Sequence, residues 1–358
     1  MTILVFLIVL SVLVLAHEYG HFITAKKSGA KVEEFGFGFP PRFFSFKRNG
    51  TEFTLNLIPF GGFVKIFGEL GDHKDSPGSF SGLKISKRAK IICAGVFMNL
   101  VLAFVLLSFV NLIGKPMIIT ENDAAYAKNI QLKVLDTAKD SPAFSVGVKS
   151  GDVVSELSFN GKSQTVLDAD AFRKIIDEAN GKEVILKVKR GSESIDFKIT
   201  PRINPPENEG AVGVSLAKVG LVKSKWYLFL WDGLKDTAML FWLIITSLFL
   251  LFKTLIFEGR MMGELAGPIG IATITGQAYS MGLSYLLNLV ALLSIHLAIL
   301  NFLPFPALDG GRMVFLVFEK LRGKPVSQKI EQAVNLSGFV LLLALMAFIT
   351  WKDIVKLF

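Results

Sequence analysis

The stretch that most constrains this chain is His17-Glu18-Tyr19-Gly20-His21, an H-E-x-x-H pattern directly behind sixteen residues that carry no charged side chain. A run this apolar reads as a membrane helix covering about residues 1–23. Residues four apart share one helix face, so both imidazoles can reach a single metal ion. Glu18 stands beside them, where a carboxylate can take a proton from a water at that metal. A carboxylate and two imidazoles are costly inside a bilayer, so their presence there points to function rather than chance.

The remaining composition agrees with a membrane setting. Of 358 residues, 51% are hydrophobic, more than an ordinary soluble enzyme carries. The net charge of +9 lacks a Lys/Arg run long enough for a nucleic-acid arm. It fits basic cytoplasmic loops instead. A single cysteine, Cys93, excludes an internal disulfide and a thiolate metal site. Residues 1–16 lack the positive start of a signal peptide and read as a retained span. Lys26, Lys27 and Lys31 follow it, which sets its C-terminal end in the cytoplasm. Residues 24–90 hold twelve Lys/Arg against six Asp/Glu and form a cytoplasmic loop. Within it Phe53, Leu55 and Leu57 alternate with polar residues, and Pro59 and Gly61-Gly62 punctuate the run. This predicts a membrane-associated β-hairpin over 52–69 whose free edge could accept an extended peptide. A second span covers 91–113, where Gly95 and Asn99, four apart, suit close helix contact.

Residues 124–203 alternate strand-like and helix-like segments. Ser141-Pro142-Ala143 opens a short helix, Asn160-Gly161 marks a turn, and Asp168 caps a helix ending near Ala179. The series Ser-Pro-Ala-x-x-x-Gly-Val-x-x-Gly-Asp-Val-Val followed by Phe-Asn-Gly resembles PDZ domains of the circularly permuted bacterial kind. Residues 204–280 read as a linker beginning at Pro205-Pro206-Glu207-Asn208, then interfacial amphipathic helices around Trp226 and Trp231. Ala238–Phe252 is short enough to be either a span or a surface helix. A further span, 283–303 within a 281–311 unit, breaks at Asn301-Phe302-Leu303-Pro304-Phe305-Pro306-Ala307-Leu308-Asp309-Gly310-Gly311. Irregular backbone at membrane depth is tolerated where it lines a cavity. A last span falls within 335–353.

A catalytic zinc site takes three protein ligands and keeps one position open. His73 lies in a polar loop. His296 precedes Asp309 by thirteen residues, roughly 20 Å along a helix, so those two cannot share an ion. Asp309, an acid in a broken membrane-adjacent segment, is the candidate third ligand.

With these residues in place, the chain resembles the site-2 protease family of intramembrane zinc proteases, peptidase M50. His-Glu-Tyr-Gly-His and Asn301-x-x-Pro-x-Pro-x-Leu-Asp-Gly-Gly carry the resemblance. Pro59-Phe-Gly-Gly-Phe-Val-Lys65, Ala94-Gly95-x-x-x-Asn99, the inserted PDZ domain and Gly267-Pro268-Ile269-Gly270-Ile271-Ala272 resemble its bacterial regulated-intramembrane-proteolysis branch. The resemblance implies one zinc ion on His17, His21 and Asp309, with Glu18 as catalytic acid/base. It also implies that Asn301, Pro304 and Pro306 position the substrate; Asn99, Gly61 and Gly62 join them as candidate substrate contacts. Substrates would be single-span membrane proteins, such as anti-sigma factors or remnant signal peptides. The PDZ domain would meet a peptide or a substrate ectodomain. The other readings are a membrane metal-ion transporter and a PDZ-bearing scaffold with an inactive site.

The shared ion also sets an expected topology. His17, His21 and Asp309 must lie at one depth, so the spans that precede them run the same way. The expected fold is a polytopic α-helical membrane protein with four transmembrane helices, a membrane-associated β-hairpin and one inserted α/β PDZ domain. The termini and the PDZ domain would lie outside a bacterial inner membrane, the site near its cytoplasmic side, and 226–257 along or only partly in the outer leaflet.

Overall fold

The computed structural model describes residues 1–69, 71, 73–120, 126–191, 193–206, 209–259 and 266–355. In chain order its elements are α1 (Thr2–Ser28), β1 (Val32–Arg48), β2 (Thr51–Ile66), α2 (Ile85–Ile113), β3 (Lys115–Ile118), β4 (Ala127–Thr137), α3 (Pro142–Ser145), β5 (Val153–Phe159) and β6 (Lys162–Thr165). They continue with α4 (Ala169–Ala179), β7 (Val184–Arg190), β8 (Glu193–Ile199), β9 (Val214–Val222), α5 (Phe229–Glu258), α6 (Pro268–Met281), α7 (Leu283–Phe302), α8 (Asp309–Arg322) and α9 (Gln328–Val355). Two compact units result, one of residues 1–108, 230–276 and 287–358, the other of 109–229 and 277–286.

In the first unit, α1, α2, α5, α7 and α9 are each long and apolar enough to cross a membrane. The chain is therefore built as a polytopic membrane protein. The expectation of four spans meets a fifth candidate here, because the ambiguous 238–252 segment extends to a 30-residue helix, α5. Helix α1 ends at Gly29, whose left-handed φ of 90° lets its N–H return to the Ala25 and Lys26 carbonyls.

The membrane helices approach through small residues. A Cβ on Gly20 would fall 2.9 Å from the Met98 Cβ and would collide with the Ala94 carbonyl, so α1 and α2 meet backbone to backbone. Gly233 of α5 lies against Ser108 of α2 in the same way. Ala103, Leu107, Ile244, Ala291, Ile295 and Ile299 fill the space between α2, α5 and α7. Arg88 of α2 grips Glu319 of α8 through two hydrogen bonds of 2.5 and 2.9 Å.

Strands β1 and β2 join through Asn49-Gly50, both at positive φ (49° and 77°), the backbone that tight hairpins require. Each long strand bends, so Phe35 pairs with Phe53 on one side and Val64 on the other, and Phe44 pairs with Leu55. The segments lie in the order 42–48, 51–56, 34–37, 62–66. The hairpin expected over 52–69 is thus part of a larger sheet that starts at Val32. Gly36, Gly38 and Pro40-Pro41 interrupt the alternation of β1, which hides it from a period-two reading. Phe39, Phe43, Phe44, Phe46, Leu57 and Ile58 are exposed.

The second unit is a sheet of order β3-β9-β4-β5-β7-β8, with β6 on β5. Leu132, Leu157, Ile176 and Leu186 lie in its core with α4. Asp168 caps α4 by accepting from the Ala171 N–H at 2.7 Å. The module does not close at residue 203. Its strand β9, placed in the linker by the sequence reading, pairs with both β3 and β4. Gly213, Lys218 and Gly220 blur the apolar pattern of that strand. The module's expected start at 124 and Glu207-Asn208 of the linker lie outside the described residues. Lys133 is buried against Tyr285, donating to its hydroxyl at 3.0 Å, and burial lowers the pKa of this amine.

The Gly-Pro-Ile-Gly stretch at 267–270 owes its composition to α9. Buried Asp353 accepts from the Gly267 and Gly270 N–H groups at 3.3 and 2.9 Å and so caps α6. A Cβ on Gly267 would stand 2.6 Å from the Asp353 Oδ2, and Pro268 supplies no N–H that needs a partner. Asp353→Ala is expected to cost about 1 to 2 kcal/mol, with Asp353→Asn intermediate. Denaturant unfolding of the full chain in detergent micelles measures both.

Candidate metal centre

The site joins two elements far apart in sequence. Helix α1 presents His17 and His21 on one face. Asp309 is the first residue of α8, which starts after the chain breaks from α7. The break is fixed from behind by α9: the Ala307 N–H, at φ 73°, donates to the Asn335 Oδ1 at 3.2 Å, and Pro306 packs on Gly338. Gly310 and Gly311 lie against the backbone of Leu303 and Phe305, too close for any side chain.

Three ligand atoms converge. The Asp309 Oδ2 lies 3.1 Å from the His17 Nε2 and 3.2 Å from the His21 Nε2, and the two Nε2 atoms are 3.1 Å apart. A tetrahedral zinc with bonds of about 2.0–2.1 Å sets its ligands about 3.3–3.4 Å apart, so a small outward expansion is all that separates this triangle from a bound geometry. The buried Asp309 Oδ2 has no well-formed hydrogen bond among the described residues. Two ring nitrogens and a carboxylate oxygen pointing at one spot are a donor set that a cation satisfies.

The back wall is α2. A Cβ on Gly95 would stand 2.7 Å from the His17 Cε1 and 2.8 Å from its Nε2, and would collide with the His21 Nε2 as well, so a side chain there would push both ligand rings out of place. Glycine there also opens the carbonyl of Ile91, which lies 2.8 Å from the His21 Nδ1. A carbonyl can only accept, so the His21 Nδ1 carries the proton and its Nε2 presents a lone pair to the metal.

A cavity of about 370 Å³ opens on this triangle, lined by His17, Glu18, His21, Asn301, Asp309 and Arg312 together with Val14, Phe63 and Val64. Asn301 thus reaches the cavity. Pro304 and Pro306 do not line it; Pro306 supports the loop from behind. Gly62 brings the edge segment to Glu18, since its Cβ position is 3.6 Å from the Glu18 Cγ. Gly61 sits against the Phe39 ring instead. Asn99, expected to contact substrate, is fully buried, does not line the cavity, and places its amide 3.3 Å from the His17 Nδ1. His73 stacks on Phe67, and His296 bonds the Leu292 carbonyl within its own helix. Neither belongs to the metal group.

Sequence reading passed over Arg312, whose ion pair with Glu69 borders the cavity, and Asn335. The signal for Arg312 was its position three residues beyond Asp309, on the same helix face. Nothing in the sequence marks Asn335.

The sequence matches peptidase family M50 over residues 5–345. A protein of Clostridium perfringens is 36% identical over 98% of this chain and 97% of its own length. Zinc metalloprotease RasP of Shouchella clausii is 30% identical over 100% of this chain and 99% of its own. Regulator of sigma-W protease RasP of Bacillus subtilis is 28% identical over the same shares. The matched region contains the H-E-x-x-H helix, the broken segment with Asp309 and everything between them, and the chain belongs to peptidase family M50.

Proposed function

We propose that this chain is a zinc-dependent intramembrane protease that hydrolyses peptide bonds of single-span membrane proteins. The observation that carries this reading is the convergence of the His17 and His21 Nε2 atoms and the Asp309 Oδ2, with Glu18, on one cavity at the end of an apolar helix. Bound zinc would supply a Lewis acid that polarises the scissile carbonyl and brings the acidity of water to a pKa of about 7. His17, His21 and Asp309 would hold it. Glu18 takes the proton of the attacking water and later delivers it to the leaving amide nitrogen.

The substrate must enter extended, because a helix hides its carbonyls in its own hydrogen bonds. Segment 62–66 supports a way to hold it so. It is an edge of the sheet, and its Phe63 and Val64 line the cavity. A strand added there would lay its backbone past Glu18, with the Asn301 amide in the same cavity to bond a peptide group. The exposed phenylalanines of the sheet suit a membrane-dipping surface.

Chain reach supports four crossings. Gly267 packs on Ile349 and Asp353 at the end of α9, and Gly276 packs on Thr2 at the start of α1, both remote from the site along those helices. Helix α5 would be about 45 Å long if straight, whereas nine residues lead from Glu258 to Gly267 and span at most about 31 Å. An upright α5 could not return that far. In this topology α5 lies oblique toward the outer leaflet of a bacterial inner membrane, and both termini face outside. The second unit is the PDZ domain, also outside, with a cavity of about 620 Å³ between α4 and β9 for a peptide or ectodomain segment. The sigma-factor role named for the Bacillus subtilis relative suggests anti-sigma factors as the substrate class, alongside remnant signal peptides.

Three outcomes are expected. Purified Glu18→Gln binds zinc as the parent does and fails to cleave a single-span substrate in detergent; retained cleavage would remove Glu18 from its role. Gly95→Ala, with the added methyl against both ligand rings, loses most bound zinc, read as metal content by mass spectrometry while helix content by circular dichroism is unchanged. Single cysteines placed at Lys235 and Lys253 in a Cys93→Ser background react with an impermeant thiol reagent from the same outer side. Labelling from opposite sides would mean that α5 crosses completely.

A further inference from the structure

We propose that Asn99 is a positioning residue that fixes the tautomer of His17, with its side-chain carbonyl accepting a hydrogen bond from the His17 Nδ1–H. This rests on the zinc reading of the site. A bound ion makes the same demand on both rings. A neutral imidazole that ligates through Nε2 carries its proton on Nδ1 and needs an acceptor there. For His21 that acceptor is the Ile91 carbonyl at 2.8 Å. For His17 the polar side chain at Nδ1 among the described residues is the amide of Asn99, at 3.3 Å.

That amide has two ends of nearly equal shape. In the structure the Nδ2 faces His17, and the Oδ1 is buried without a hydrogen-bond partner among the described residues. An N–H facing the Nδ1 suits a ring protonated at Nε2, which could not bind metal. A half-turn of the amide places the orphaned Oδ1 against the Nδ1–H and frees the Nε2 lone pair. The residue is held in position for this: Asn99 is fully buried, one helical turn beyond Gly95, and its backbone carbonyl accepts from the buried Ser294 hydroxyl at 2.8 Å. Helix α2 thus serves both rings, His21 through a backbone carbonyl and His17 through a side chain.

The test measures zinc affinity of the full chain in detergent by competition with a chromophoric chelator, using zinc ion alone. Asn99→Leu, with the same branched outline but no acceptor, is expected to weaken zinc binding about 10- to 100-fold. Asn99→Asp, which keeps an acceptor and as a carboxylate cannot donate, is expected to bind zinc at least as tightly as the parent. A residue that only packs helices predicts the reverse order, since leucine suits a buried site and a carboxylate does not. Thermal melting of the metal-free variants verifies folding. Should Asn99→Asp not fold, Asn99→Leu decides alone. It is then compared with Ser294→Ala, which loosens the same α2–α7 contact without touching the ring and is expected to hold zinc within about twofold. Parental zinc affinity in Asn99→Leu overturns the proposal and leaves the protease reading standing. Failure of the parent to bind zinc overturns the reading of the site.

Discussion

Two imidazole nitrogens and one carboxylate oxygen, held within 3.2 Å of each other, are the arrangement on which the functional part of this fold depends. Such groups are expensive to desolvate, and two lone pairs facing a carboxylate repel one another unless a cation lies between them. The rest of the unit acts to hold them there. Helix α1 supplies two ligands by its own periodicity. The third requires the chain to stop being helical at Leu303–Leu308 and start again at Asp309, with Asn335 and Gly338 of α9 fixing the interruption.

Close helix packing makes the triangle possible. Between membrane helices there is little hydrophobic force, so contact depends on backbone approach through small residues. Gly20, an unspecified position of the H-E-x-x-H pattern, is constrained here by the Ala94 carbonyl. Gly95 is constrained by the two rings themselves. These glycines do the same work from opposite sides of one interface. The Arg88–Glu319 pair then ties α2 to the helix that begins with Asp309, so all three site-bearing helices are joined.

The β-structure shows where pattern reading loses its hold. Its turn at Asn49-Gly50 is a strong hairpin signal, as strong as Asn160-Gly161, yet the glycines and prolines of β1 mask the strand before it. Only half of the sheet was legible as alternation. The same holds for β9, which lies between β3 and β4 in the second sheet while its sequence resembles a continuing linker. Strands with few alternating apolar residues are identified by their partners, and partners are not local information.

By itself the sequence determined the membrane class, the long apolar helices, the metal-binding pattern on α1 and the broken acidic segment. Each is written in consecutive residues through charge, hydropathy and helical period. Asp309 as the third ligand was reachable by elimination, because few acids sit beside a membrane break. What Asn99 touches was decided only by tertiary structure, since the face of α2 it occupies has meaning only once α1 is packed against that face. Tertiary structure likewise assigned Gly95 to the wall of the metal position, Asn335 to the support of the broken loop and Gly62 to the side of Glu18. Short-range periodicity tells which way a side chain points from its own helix, and only packing tells what it points at.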